Sequence, residues 1–465
     1  MSADSAYQRQ NILFTVATLA PVAAIGSGVT ILVVLSLYWN IFLMVTGAMK
    51  RTLPTHQRAM VIIFTQFAVI GFALSRLHDG SKVFSGGSEY LLFLAPIVLL
   101  PRYGFGPPKQ ELRAIMLRAL AGAGMIAGLL TTIEFMIWGG RAAAVPGNPL
   151  ILAPVACMAG LGTLAMLVEP PVPRDRLWAV IGWLGALIAI VLSQSRTITV
   201  LFLACSAFFG VLNWRLAARN LHRHVFISGV AVAVAGSLIA TFAVVDRLVT
   251  EPPLAVAGEP SSAQWRLVYA DAGWRVASEN LMIGVGRDQR AIAVGAELQA
   301  MSMPTRVQET THYKSWHRWI PEPARSYVIN WQIERWEEQT ADAQANGAEA
   351  LPPRPVVEKE TRTVLTSPHQ HLHNAYMTML VDHGVVGLVS LLLLMVGPIG
   401  AGFRNAIHKS DPVLFNAYCV IIVAVALSGL TNLHIENDII ASYFIVISMS
   451  CWAVFRLPDD SVDHR

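Results

Sequence analysis

Twelve runs of mostly apolar residues divide this chain, at 11–26, 29–48, 59–75, 83–100, 116–138, 149–168, 177–194, 197–212, 225–245, 385–403, 413–431 and 439–455. Each approaches the ~20 residues that a helix needs to cross a bilayer. Inside hydrocarbon no water satisfies backbone N–H and C=O groups, so runs of this length predict spanning helices and an all-α integral membrane protein. Composition agrees. Of 465 residues 54% are apolar and 14% charged, whereas charged side chains supply about a quarter of an ordinary soluble domain. A soluble enzyme and a disordered chain are both excluded on these grounds. The net charge of +4 arises from short basic clusters scattered between apolar runs, not from one stripe, which argues against nucleic-acid binding. Cys157, Cys205, Cys419 and Cys451 all lie inside apolar runs without CxxC spacing, so neither a metal site nor a disulfide framework is implied. The first run has only Arg9 before it and passes straight into another apolar run, which reads as a retained helix and not as a signal peptide.

Orientation follows from the excess of Lys and Arg in cytoplasmic loops. With the N-terminus inside, the inner segments carry sixteen Lys and Arg, among them Arg58, Arg113, Arg174, Arg215 and Arg404. The short outer loops carry four: Arg76, Lys82, Arg141 and Arg196. Both termini are expected in the cytoplasm. Three regions result: 1–245 with nine helices, 246–384 as a large, mostly helical loop outside, and 385–465 with three helices and a cytoplasmic tail. The loop is acidic overall and holds Trp265, Trp274, Trp316, Trp319, Trp331 and Trp336. Tryptophan favours the membrane–water interface, so the loop is expected close to the bilayer. Within it, Arg325–Ala345 reads as an amphipathic helix, either packed on the loop or lying on the membrane as a lid. Pro352, Pro353 and Pro355 end the pattern.

Three places at outer helix ends could carry chemistry. The first is Ser193-Gln194-Ser195-Arg196, which joins two apolar runs with almost no loop. An arginine so placed is an interfacial anchor or a group that binds an anionic substrate. The second runs from Arg266 through Trp274 and Arg275 to Asn280, Gly284 and Gly286. A guanidinium fork suits phosphate oxygens, but Arg266 and Arg275 would face about 180° apart on a straight helix. Gly284 and Gly286 lack a third glycine and a strand–turn–helix context, and are read as a turn. The third is His369-Gln370-His371-Leu372-His373-Asn374. Alternating histidines can bind metal, yet no nearby Cys or acid completes a ligand set. A general base is the stronger reading, since imidazole titrates near neutral pH, and a structural cap for the following helix is the third. The chain has no P-loop, DxD, GxSxG or HExxH, so a substrate on the outer face has to arrive already activated on a lipid.

Ser193, Ser195 and Arg196, then Arg266, Trp274, Asn280, Gly284 and Gly286, then His373 and Asn374 followed by Leu380, Gly384, Gly387 and Leu388, resemble in order and spacing the motifs of the O-antigen ligase and polymerase superfamily, and the O-antigen ligases most. The informative part covers about 195–390. The resemblance implies transfer of a finished polysaccharide from undecaprenyl diphosphate to a sugar of lipid A-core, on the periplasmic face of the Gram-negative inner membrane, with no metal or other cofactor. Carried over, Arg196 and Arg266 hold the diphosphate and His373 is the general base, with His371, Asn374 and Ser195 as supporting residues. A single displacement would invert the anomeric centre, because no motif offers a covalent nucleophile. Two departures stand out. Asn280 is followed by Leu281 where the family usually has proline, and the Trp-rich stretch 313–336 matches nothing in its pattern. An O-antigen polymerase and a protein O-oligosaccharyltransferase would use the same groups. A multi-span transporter is the alternative outside enzymology, but transporter sites gather near the bilayer midplane, whereas these polar groups gather on one outer face, Glu134 being the main exception.

Overall fold

The computed structural model describes residues 3–47, 53–79, 88–103, 109–220, 262–313, 324–346, 352–355, 359–367, 372–431 and 437–455. Its elements are, in order, α1 Ala3–Leu19, α2 Val22–Ile25, α3 Gly28–Val45, α4 Thr55–Asp79, a 3₁₀ segment Ser88–Leu94, α5 Ala95–Tyr103, α6 Lys109–Trp138, α7 Pro149–Val168, α8 Asp175–Leu192, α9 Arg196–Leu212 and α10 Trp214–Asn220. After Ser262 come α11 Ser262–Glu279, α12 Arg287–Ala300, β1 Arg306–Tyr313, α13 Ala324–Ala345, β2 Lys359–Thr366, α14 Ala375–Arg404, α15 Ile407–Ser410, α16 Pro412–Ser428 and α17 Asp438–Val454.

Helices occupy eleven of the twelve apolar runs; the run 225–245 lies outside the described residues. Among the described residues six helices are long and apolar enough to cross a membrane: α3, α4 (over His56–His78), α6, α7, α8 and α14. The remainder fall short for visible reasons. The first run is broken between α1 and α2, with Pro21 as the N-cap of α2. The fourth begins in 3₁₀ geometry, and α5 carries an internal Pro101. Helices α9, α16 and α17 have 17 residues each, about 25 Å at 1.5 Å per residue, against a hydrocarbon core of about 30 Å.

The bundle is centred on α7, nearly all of whose residues are buried and which carries small residues, Ala153, Ala156, Ala159, Gly160 and Gly162, on its packed faces. Apolar contact confers no hydrophobic gain between helices in lipid, so close approach through small residues does the work. The contact of α6 with α8 shows it: a Cβ on Gly185 would lie 2.5 Å from the Gly124 carbonyl oxygen, and one on Gly128 2.6 Å from the Gly185 Cα.

One end of the bundle is basic. There Arg113 pairs with Glu169 at 2.8 Å and lies 3.7 Å from Asp411, Lys109 reaches the Phe455 carbonyl, and Arg102 donates to Asn11. The other end gathers the termini of α6, α8, α9, α14 and α16. Arg141 and Ala142, just beyond α6, donate to the carbonyls of Ser193 and Leu192 at the end of α8, and the Ala375 N–H at the start of α14 donates to Gly429 at the end of α16 (2.7 Å).

The part of the 246–384 region made of α11, α12, β1 and β2 sits at this second end. It is not all helical: β1 and β2 form an antiparallel ribbon, with Arg306 opposite Thr366 and Tyr313 opposite Lys359. Alternating β-branched and polar residues (Arg-Val-Gln-Glu-Thr-Thr and Thr-Arg-Thr-Val-Leu-Thr) favour strand over helix here. The ribbon's base rests on α12 through Ser367 N–H to Ala291 O and through the open face of Gly295, where a Cβ would strike Thr366. From its far end the chain makes the excursion that contains α13. That helix agrees with the amphipathic reading of Arg325–Ala345, although its half-buried side follows Val328, Gln332 and Trp336 while Tyr327 and Trp331 are exposed. Arg335 instead covers the Trp331 ring, and Trp336 donates to the Pro352 carbonyl.

Candidate active site

Each of the three motif segments makes a turn at the same end of the molecule. In the first, Ser193 closes α8: its hydroxyl donates to Ile190 O (2.6 Å) and accepts from the Ser195 N–H (3.3 Å). Gln194 takes φ +55°, which lets α9 start at once, with Ser195 as N-cap and Arg196 as its first residue. Ser193 and Ser195 are buried and Arg196 is exposed. A neighbour that the motif did not reveal fixes this turn. Arg141 donates through Nε to the Ser193 carbonyl (3.1 Å), and its loop is held by Glu134, whose carboxylate accepts from the N–H groups of Ala143 and Ala144 (3.0 and 2.6 Å). Glu134, the conspicuous intramembrane acid, is thereby a loop anchor.

The second segment is α11 with the turn that follows. Tyr269, Ala272 and Val276 are buried in a small apolar core with Leu372, Leu380 and Val381. Arg266 stands at the edge of that packed face, half-buried, and burial lowers the pKa of its guanidinium; arginine starts so high that it remains a cation at neutral pH. Arg275 is exposed and paired with Asp271 on its own helix (3.2 Å). The two arginines thus sit in different surroundings, as the 180° offset requires.

The third segment meets the second. Gly273 lets α11 approach so closely that a Cβ there would lie 2.9 Å from Met377 Cγ and 3.1 Å from Leu372 Cδ1. This brings the ring of His373, φ +53°, to 6.4 Å from the Tyr269 ring, which in turn stacks on Trp265 at 5.2 Å. Arg266 follows Trp265 directly on α11, so the helix that carries Arg266 is the one against which His373 lies through Tyr269. Asn374 caps α14, accepting from Tyr376 N and Met377 N at 3.0 Å each. The capping role belongs to Asn374 and not to His373. His371 and His369 lie outside the described residues.

Sequence reasoning missed what locks these segments together. Helix α14 starts at Ala375, ahead of the expected span, and breaks at Gly384 (φ +63°, ψ −163°). The turn 280–286 enters the break: Val285 N–H donates to Val381 O (2.8 Å), Gly286 N–H to Asp382 O (3.0 Å), and Val385 N–H to Leu281 O (2.8 Å). A Cβ on Gly284 would come within 2.5 Å of the Asp382–His383 peptide, and one on Gly384 would strike the Met282 peptide. The glycines of the second and third motifs are therefore two halves of one joint. Around it, Arg290 pairs with Asp382 at 2.5 Å, both buried, Arg287 pairs with Glu89, His383 Nε2 lies 2.9 Å from the Tyr90 hydroxyl, and His78 Nε2 lies 2.8 Å from Ile283 O. The spacing of Arg287 and Arg290 on one helical face was the available signal, but their partners lie far away in sequence.

Residues 181–317 match the model of the O-antigen ligase family. The match spans under a third of the chain and contains Ser193, Ser195, Arg196, Arg266, Asn280, Gly284 and Gly286, while His373 lies beyond it. The family to which the motifs pointed is thus the one to which this segment is similar, and the long apolar helices agree with a membrane protein. No curated protein matches the chain. Among the described residues no three His, Cys, Asp or Glu side chains group as metal ligands.

Proposed function

We propose that the protein is an O-antigen ligase of the bacterial inner membrane. It transfers polysaccharide from undecaprenyl diphosphate to a sugar of lipid A-core on the periplasmic side, without metal. The observation that carries this reading is the meeting of the second and third motif segments: His373 lies against Tyr269 on α11, the helix that carries Arg266, at the end of the bundle where Arg196 opens α9. Diphosphate leaves readily once its developing charge is neutralised, and two guanidinium groups supply that charge, Arg266 from half-buried surroundings and Arg196 from the surface. His373 takes the proton from the acceptor hydroxyl as it attacks the anomeric carbon, general-base work typically contributing about 10²–10⁴-fold. The C–O bond to diphosphate breaks as the new glycosidic bond forms on the opposite face, so the anomeric centre inverts. Ser195 and Arg141 act by positioning: the first stands at the N-cap position of α9 with its N–H on the Ser193 hydroxyl, and the second holds the Ser193 carbonyl so that Arg196 emerges at the surface.

The test is a reconstituted assay in EDTA with purified protein, undecaprenyl-diphosphate-linked glycan and lipid A-core. Glycan is expected on lipid A-core with the natural protein and not with His373→Ala. Longer chains left on undecaprenyl diphosphate would make the protein a polymerase, and transfer that requires added Mg²⁺ would overturn the metal-free mechanism.

A further inference from the structure

Far from these arginines, toward the basic end, an open groove of about 650 Å³ lies between α6 and α8. Its polar part is made by Arg118, Arg174, Asp175 and Trp178, and its apolar part includes Gly122 and Ile126. The groove opens onto the outer surface of the bundle, because α8 exposes Leu177, Trp178, Ile181, Leu184 and Ile188 along one helical stripe. In a membrane protein a stripe of that kind faces acyl chains.

Charge accounting within the groove is specific. Asp175 is buried, and its carboxylate accepts from Arg118 Nε and Nη2 at 2.9–3.3 Å. The pair cancels, and no further hydrogen bond is made by Arg118 Nη1 among the described residues. Arg174, exposed at the N-cap of α8, leaves one net positive charge. Trp178 stands in the first turn of α8 beside it, a ring suited to the boundary between headgroups and hydrocarbon. A free anion would use the arginines but not the apolar wall; a neutral lipid would use the wall but leave the charge unmatched.

We infer that this groove binds a phospholipid whose headgroup carries one net negative charge, its phosphodiester at Arg118 and Arg174 and an acyl chain along Gly122 and Ile126. Basic pockets between spanning helices are known to take anionic headgroups, and this one is independent of the glycosyl-transfer site. Arg118 is a poor target for mutation, because its loss would strand buried Asp175. Arg174→Gln removes the net charge from an exposed position. Gly122→Leu fills the apolar part, and it does so without a backbone clash, since the nearest atom to a Cβ there is Ala20 Cβ at 3.8 Å.

The experiment is native mass spectrometry of the full chain, delipidated in detergent and titrated with phosphatidylglycerol, phosphatidylcholine or inorganic phosphate. Phosphatidylglycerol is expected to bind at least about tenfold more tightly than phosphatidylcholine, with each variant losing that preference and Arg215→Gln, elsewhere at the basic end, keeping it. Equal binding of the two lipids by the natural protein would overturn the proposal, as would wild-type preference in both variants. Inorganic phosphate binding as tightly as phosphatidylglycerol would make the groove a simple anion site and equally overturn it.

Discussion

His373 and Gln194 both hold left-handed backbone without being glycine, and each stands in a motif turn. Such a conformation costs an L-residue roughly 1–2 kcal/mol, and its retention at these places fits a requirement for side chains at fixed positions. His373→Ala is expected to reduce transfer by about 10²–10⁴-fold while the protein elutes as the same monodisperse species on size exclusion; full activity would remove the general-base role. Arg266→Lys keeps the charge but loses the planar fork, so a drop of at least about tenfold in kcat/KM is expected, measured against the lipid-linked donor; unchanged kinetics would reduce Arg266 to charge screening. At this scale the sequence was informative where a residue announced its chemistry, as with arginine or histidine at a helix end. It was silent on Arg290 and Asp382, whose buried pair joins positions distant in the chain, and on Arg141, which looks like one more loop cation until its bond to Ser193 is seen.

The elements are joined by glycine, and the joint explains why motif positions without chemistry accompany those with it. The break of α14 at Gly384 and the turn at Gly284 each occupy the space that the other's side chain would need. Gly384→Ala adds both a left-handed penalty and a clash with the Met282 peptide, and destabilisation by about 2 kcal/mol or more is expected in thermal unfolding in detergent. Gly400→Ala in the same helix meets no atom within 4 Å and should be neutral or stabilising by up to about 1 kcal/mol, which separates the joint from glycine loss in general. Gly273→Val acts elsewhere: it presses on Leu372 and Met377, shifting His373 away from α11, so transfer is expected to fall even in preparations that remain folded. Hydropathy located these helices well, because burial in lipid demands long apolar runs. It failed to mark where they break, since Pro21 and Gly384 act through backbone geometry that leaves mean hydropathy almost unchanged, and it concealed the β ribbon, whose polar alternation resembles any loop.

For the whole molecule the decisive quantity is the unlike charge of its two ends. Arg58, Arg102, Lys109, Arg113, Arg118, Arg174, Arg176, Arg404 and Lys409 belong to the end opposite the motif turns, whereas Arg76, Arg141 and Arg196 lie at the helix ends of the site. Lys and Arg of short loops are retained in the cytoplasm, so this asymmetry supports the proposed orientation, with the candidate site outside, where a lipid-linked glycan and lipid A-core could both reach it. The described chain stops at the basic end at Asn220 and resumes at the site end at Ser262, so orientation is read from the two ends themselves and not from a count of crossings. The native cysteines give little background for a thiol experiment: Cys157, Cys205 and Cys451 are buried and Cys419 is partly so. Gln299→Cys on α12 and Gln110→Cys at the base of α6 both replace exposed side chains at opposite ends. In intact spheroplasts a membrane-impermeant maleimide is expected to label the first and spare the second until the membrane is opened. The reverse pattern would place the arginines and His373 in the cytoplasm, where the proposed transfer to periplasmic lipid A-core could not occur.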